Sequence, residues 1–161
     1  MTILVDTREQ RPYWPSNRRT LNVGDYTTES LLGKFHIERK SLQDLYGTLI
    51  HNHPRFRREI IRAEERGTVL VVVVEGSHDD FINKRFPKGD QRKCTKEVLT
   101  KIVATVRRRY KLEIIFCSNR ERAKKKTLSL LKAWEKTLST RRRPQPQSVR
   151  QGRTPRRSRK Q

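Results

Sequence analysis

Three side chains in this sequence have the types and spacing to do chemistry together: Asp25, Glu38 and Lys40. Hydrolysis of a phosphodiester needs hard oxygen ligands for a cation such as Mg²⁺, an activated water, and stabilisation of charge building on the phosphoryl oxygens. Asp25 and Glu38 could supply the ligands, and Lys40 could help with the water and the charge. An aspartate followed 13 residues later by E-x-K points to a metal-dependent core that cuts nucleic acid. E-x-K alone says little, because 39 of the 161 residues are Lys or Arg. Taken alone, Glu38 and Lys40 read more readily as an exposed intrastrand charge pair, which is worth little. Asp25 after Gly24 also fits simple turn chemistry.

For these groups to act, the chain must place them on one surface. In "FHIERK" (35–40), Phe35 and Ile37 would face one side of a strand and His36, Glu38 and Lys40 the other. Glu38 and Lys40 then lie about 7 Å apart along it. His36 shares that face, more readily as a bystander than as a participant. Upstream, "TILVDTRE" reads as a buried strand ending in charges, "RPYWPSN" as a proline-punctuated loop, and "TLNVGDYTTE" as a second strand interrupted by Gly24. Tyr13 and Trp14 in that loop either stack on an unpaired base or pack against the domain.

From Ser41, a fitting N-cap, the period changes. Leu42, Leu45, Tyr46, Leu49 and Ile50 recur at helical spacing. The pattern predicts a second helix from about Pro54 to Arg66 with Phe56, Ile60 and Ile61 facing inward. "HNH" (51–53) is read as a loop with two solvated histidines, because Pro54 stops a helix from continuing. "TVLVVVVEG" (68–76) is apolar and β-branched throughout, the mark of a strand covered on both faces. "KEVLTKIVATVRRRY" puts Val98, Leu99, Ile102, Val103, Val106 and Tyr110 on one helical stripe. "LEIIFCS" follows as a strand, and a last helix aligns Leu128, Leu131, Trp134 and Leu138. The expected fold class is α/β, a mixed central sheet flanked by helices. Residues 1–140 form one domain in this reading, and 141–161, "RRRPQPQSVRQGRTPRRSRKQ", a disordered basic tail.

The net charge of +22 includes nine Lys or Arg of that tail, whose removal still leaves +13. Charge of that sign points to an anionic polymer, nucleic acid ahead of a membrane surface. No apolar run approaches the roughly 18–20 residues of a membrane span, and no signal peptide is visible, since strand-like sequence begins at residue 3. Cys94 and Cys117 read as reduced, buried thiols, which suits an intracellular protein. A bacterial or viral-host cytoplasm is favoured over a nucleus, although "RRRPQPQ" and "RRSRK" resemble nuclear-localisation strings. Arg107, Arg108 and Arg109, Lys124, Lys125 and Lys126, and Arg141, Arg142 and Arg143 are the candidate DNA-backbone contacts, with plain solvated faces the alternative for the two helical groups.

Four blocks, "VDTRE" (5–9), "VGDY" (23–26), "IERKSLQDL" (37–45) and "RFRRE" (55–59), resemble in order and spacing the nuclease domain of the XPF-type structure-specific endonucleases. That family's signature is GD, a variable gap, ERK, and an aspartate four residues after the lysine. Gly24-Asp25, Glu38-Arg39-Lys40 and Asp44 match it, and the likeness covers residues 2 to 120. The resemblance implies a restriction-endonuclease-like PD-(D/E)xK fold that cuts DNA with Mg²⁺ or Mn²⁺. It implies Asp25 and Glu38 as metal ligands, with the Arg39 backbone carbonyl and Glu9 as further ones, and Lys40 acting on the water and the scissile phosphate. It also implies supporting places for Asp6 and Asp44 and a phosphate-side place for Arg55. Helix capping is the competing reading for Asp6, Glu9 and Asp44.

Relatives commonly add a tandem helix-hairpin-helix domain, and some a helicase domain; nothing in these residues resembles either. The expected function is therefore a divalent-metal-dependent DNA endonuclease, selective for branched or flapped DNA in repair, recombination or replication. The alternatives are a catalytically idle DNA-binding subunit of a nuclease complex, and a junction resolvase or single-strand nuclease on the same fold. DNA is the expected partner, with a homodimer or a partner protein also open through the apolar faces of the last two helices.

Overall fold

A computed structural model describes residues 1–15 and 17–141. Six strands form one mixed sheet in the order β2-β1-β3-β4-β5-β6. They are β1 (Ile3–Asp6), β2 (Arg18–Arg19), β3 (Tyr26–Thr28), β4 (Phe35–Lys40), β5 (Val69–Glu75) and β6 (Glu113–Cys117). β3 runs antiparallel to β1 and β4, whereas β4, β5 and β6 are mutually parallel. The parallel half needs crossovers, and helices supply them. Those helices are α1 (Leu42–Tyr46), α2 (His53–Glu65), α3 (His78–Ile82), α4 (Lys96–Tyr110) and α5 (Arg120–Arg141).

Alternation along β4 and β5 divides the core in two. Val72 and Val74 face one cluster with Leu45, Tyr46, Phe56, Ile60, Leu99 and Val103 from α1, α2 and α4. Phe35, Ile37, Val71 and Val73 face the other, closed by Ala123, Leu131 and Trp134 of α5. The α/β class and the mixed, helix-flanked sheet match the expectation from sequence. This architecture is the one that the resemblance implied.

Several details differ. β2, α3 and a 3₁₀ turn at Gly89–Gln91 carry too few residues for a periodic signal. Pro54 does not keep the chain out of helix: it sits in the first turn of α2, where its missing N–H is harmless. His51 is exposed and ends a π-helical turn, Gly47–His51, while His53 is half-buried near Tyr110. Val98 is 43 % exposed, because α4 points Leu99, Val103 and Val106 inward and Val98 lies about 100° off that arc. On α5 the buried line is Ala123, Thr127 and Leu131, which leaves Leu128 at its margin, and Ile61 on α2 is only half-buried. Both cysteines are free and half-buried, not buried. The expected disordered tail lies, beyond Arg141, outside the described residues. No described helix is long and apolar enough to cross a membrane.

Candidate active site

Asp25 enters β3 from Gly24, whose φ of +71° favours glycine. A Cβ there would lie 3.0 Å from the Ile37 carbonyl oxygen, which accepts the Asp25 N–H at 2.8 Å. The Asp25 carbonyl accepts from the Asp6 N–H (2.8 Å), and its Oδ2 accepts from the Arg39 N–H (2.8 Å). Backbone and side chain are thus held from both neighbouring strands. His36 serves the same end. Its Nε2 accepts from the Gly33 N–H (2.9 Å), so Nδ1 carries the proton given to the Val23 carbonyl (2.7 Å). Burial lowers the His36 pKa despite that bond, which keeps the ring neutral and the Gly24–Asp25 turn fastened.

Glu38 and Lys40 emerge two residues on, on the same face of β4. Lys40 Nζ donates to Glu38 Oε1 at 2.9 Å, with side-chain exposures of only 11 % and 13 %. Burial, and then Glu38, push the Asp25 carboxyl well above the usual carboxylate range. Burial raises Glu38 too, and Lys40 only partly reverses it. Burial works against the Lys40 charge, but Glu38 more than offsets it, so the pKa is raised and the amine stays protonated near neutral pH. The Asp25 and Glu38 carboxyl groups, with Lys40 beside them, form the floor of a cleft.

That cleft holds about 510 Å³ and is lined by Asp6, Arg8, Asp25, Glu38, Lys40 and Asp44, with Thr48, Asn52, Arg55, Glu59 and Arg92 completing its walls. Asp6, 1 % exposed, accepts from Arg8 (N 2.9 Å, Nε 2.7 Å, Nη2 3.1 Å) and from the Leu21 N–H (2.7 Å). Burial raises its pKa, but those donors outweigh it and lower the net value. Asp44 accepts a hydrogen bond from the Ser41 hydroxyl (2.7 Å) while its own N–H donates to the N-cap oxygen Ser41 Oγ (3.0 Å), so it is at once part of the capping arrangement and part of the wall. The π-helical turn carries Gly47 and Thr48 to the rim; such turns are frequent at functional sites.

The model of the ERCC4 domain matches residues 5–130. The chain belongs to that family, the nuclease-domain family of XPF. Among solved structures it is similar to XPF from Aeropyrum pernix, at 20 % identity and a TM-score of 0.64, over 88 % of this chain and 69 % of that one. It is also similar to XPF from Aeropyrum pernix in complex with DNA, at 21 % identity and a TM-score of 0.57, over 91 % and 68 %. At these identities the likeness shows a shared fold. No curated protein matches the chain.

Within the ERCC4 domain, the middle residue of Glu38-Arg39-Lys40 points the other way. Arg39 crosses to the α5 side of the sheet, where Nε and Nη2 grip both oxygens of Glu9 (2.8 and 3.0 Å) and Nη1 reaches Glu75 (3.1 Å). Arg120 binds the second Glu75 oxygen (2.6 Å) and the Arg11 carbonyl (2.7 Å). Glu9 also accepts the Arg11 N–H (2.7 Å). In this arrangement Glu9 does not line the cleft, because Arg39 and Arg11 occupy its oxygens. Burial opposes charge on Glu9 and Arg39 alike, but each more than compensates the other, lowering the acid and raising the base.

The other expected residues scatter. Arg55 is exposed on the cleft wall. Arg107 donates to the Ile114 carbonyl and lies over Phe116, while Arg108 and Arg109 are exposed at the end of α4. Lys124 sits over Trp14 and Lys125 pairs with Glu121; these and Lys126 ride on α5, across the sheet from the cleft. None of these α4 and α5 cations lines the cleft. Arg141 ends α5 in the open, and Arg142 and Arg143 lie outside the described residues. Tyr13 stacks on Tyr26 (5.1 Å) with Trp14 edge-on, the packing alternative of the two. Sequence reasoning missed Arg8, Glu59 and Arg92. Glu59 was findable, four residues after Arg55 on one helix face. Arg92 had no local signal, since only the tertiary path of its loop brings it to the cleft.

Proposed function

We propose that the cleft hydrolyses DNA phosphodiester bonds with a divalent cation, Mg²⁺ or Mn²⁺. The observation that carries this is the pair of partly buried carboxyl groups of Asp25 and Glu38, each pushed up in pKa, with the protonated Lys40 beside them. Family membership supports a nuclease role, and metal dependence is general in that family. Among the described residues no group of three or more His, Cys, Asp or Glu converges in a metal-holding arrangement. The donor set nevertheless fits, because Mg²⁺ uses one or two carboxylates and takes its remaining oxygens from water and substrate phosphate. The Arg39 carbonyl is a further candidate, since its N–H turns to Asp25 and both groups of a strand residue face one edge.

A bound divalent cation would supply a water of lowered pKa and neutralise phosphoryl charge. The chain's own residues do the rest. Asp25 and Glu38 would hold the cation, and the clamped Gly24–Asp25 turn holds the Asp25 carboxyl in place for it. Lys40 carries its proton, so it acts as a donor to the attacking water and to the phosphoryl oxygens, not as a base. Asp6 holds Arg8 at the edge of the cleft, Asp44 holds the first turn of α1, and Arg55 offers charge to the flanking phosphate. The net charge of +22 suits a polyanionic substrate inside a cell. Preference for branched or flapped DNA rests on the family.

The test is cleavage of labelled duplex, single-stranded, flap and four-way-junction DNA in Mg²⁺, Mn²⁺ or EDTA. Cutting that needs metal and is lost in Asp25→Ala and Lys40→Ala supports the reading, and the preferred substrate separates flap from junction specificity. DNA binding without cutting on every substrate would favour an idle DNA-binding subunit.

A further inference from the structure

The segment between α3 and α4 is not a slack connection. Lys84 and Lys88 adopt φ of 57° and 60°, and Gly89 packs so tightly that a Cβ would stand 1.9 Å from the Lys84 carbonyl oxygen. Lys84 Nζ then donates to the Arg92 carbonyl at 2.8 Å. The outcome is an arginine on the cleft wall. The Arg92 guanidinium lies over the Tyr46 ring, 5.1 Å from its centroid, with Nη1 3.5 Å from His51 Nε2.

Two other cations of the cleft have acid partners, Arg8 in Asp6 and Lys40 in Glu38. Arg92 has none among the described residues, and its Nε is shielded from water without an acceptor. One face is taken by Tyr46 and Nε is closed off, so the two Nη groups are what remains to offer, and their N–H bonds match two oxygens of a phosphate.

We propose that Arg92, backed by Tyr46 and His51, binds a backbone phosphate of the DNA strand beside the scissile one. This rests on the DNA-cleaving reading above. The subsite belongs to the wall built by α1 and the π-helical turn, apart from the Asp25–Glu38 floor, so it sets where the strand leaves the cleft.

The test measures DNA binding by fluorescence anisotropy across a salt series, with cleavage silenced by Asp25→Asn. Adding Arg92→Ala should weaken binding about eightfold at 0.1 M salt and reduce the slope of log K against log salt by about 0.9, the release of one counterion. Arg92→Lys should keep the slope and lose only the fork, and it decides the matter if the alanine variant does not fold. A scan of single neutral methylphosphonate linkages should find one position that penalises the parent but not the Arg92→Ala protein. If affinity, slope and scan are the same with and without Arg92, the subsite does not exist while the nuclease reading stands. If the parent binds no DNA at all, both fall.

Discussion

Asp25→Asn should make the metal-free protein more stable, and more so as the pH rises. The Asp25 carboxyl is raised well above its usual pKa, first by burial and then by Glu38. A carboxyl raised in the folded state favours folding most below the ordinary carboxylate range, where both states hold the proton. That advantage is lost as pH climbs through the folded-state pKa. Asparagine keeps the shape and the acceptor for the Arg39 N–H but carries no charge at any pH. Leaving a buried polar group poorly compensated costs about 1–3 kcal/mol, and in a chain of 161 residues each kcal/mol moves Tm by about 2–4 °C. The assay is thermal unfolding in EDTA followed by circular dichroism. Variant and parent should melt together below about pH 4, and the variant about 2–12 °C higher by pH 8. Millimolar Mn²⁺ should then raise the parent alone; at tenfold its Kd a ligand adds about 1.4 kcal/mol. A variant no more stable than the parent at any pH would refute the reasoning, because it would mean the charged Asp25 is already satisfied by protein groups.

Gly24→Ala puts a Cβ against the Ile37 carbonyl at positive φ, and should cost about 1–2 kcal/mol; chemical denaturation reads this, and kcat should fall more than DNA affinity because Asp25 moves. Arg39→Met removes the cation shared by Glu9 and Glu75 and should destabilise by about 3–5 kcal/mol; urea titration checks it, and a loss under 1 kcal/mol would show that the ion pairs are not what holds β4 in place. Lys40→Met leaves Glu38 without its partner. It should abolish cutting while Mn²⁺ still raises Tm, separating the role of Lys40 from metal binding. His36→Phe keeps bulk but loses both turn-fastening bonds, about 1–3 kcal/mol, with activity falling in step with the displaced Asp25.

The long, strongly patterned elements were legible in the sequence: β4, β5, α2, α4 and α5, and the N-cap at Ser41. Each has enough residues for a period to stand out. β2, two residues long, and α3, five long, exist because tertiary neighbours need them. The inward arc of α4 was misjudged by one position because six apolar residues spread wider than the stripe the core accepts. Of the site, Asp25, Glu38 and Lys40 were read from a strand period and a spacing. Glu9 was expected among the ligands by resemblance, and local sequence offered nothing to show that Arg39 would claim its carboxylate from the far side of the sheet.

That division of the Glu38-Arg39-Lys40 triplet explains why three consecutive charges can sit at the end of a half-buried strand. Side chains on a strand alternate, so Glu38 and Lys40 meet the cleft while Arg39 is sent through to the α5 face. There it ties β1's following loop through Glu9 and the end of β5 through Glu75, and Arg120 carries the tie on to the start of α5. Its own N–H, on the strand edge between the two faces, is the group that holds Asp25. A shift of β4 by one residue would exchange all three at once, putting Arg39 into the cleft and two opposite charges into the α5 core. The ion network behind the sheet therefore fixes the register that the two carboxyl groups in front require, which is a reason for the arginine to stand between the glutamate and the lysine.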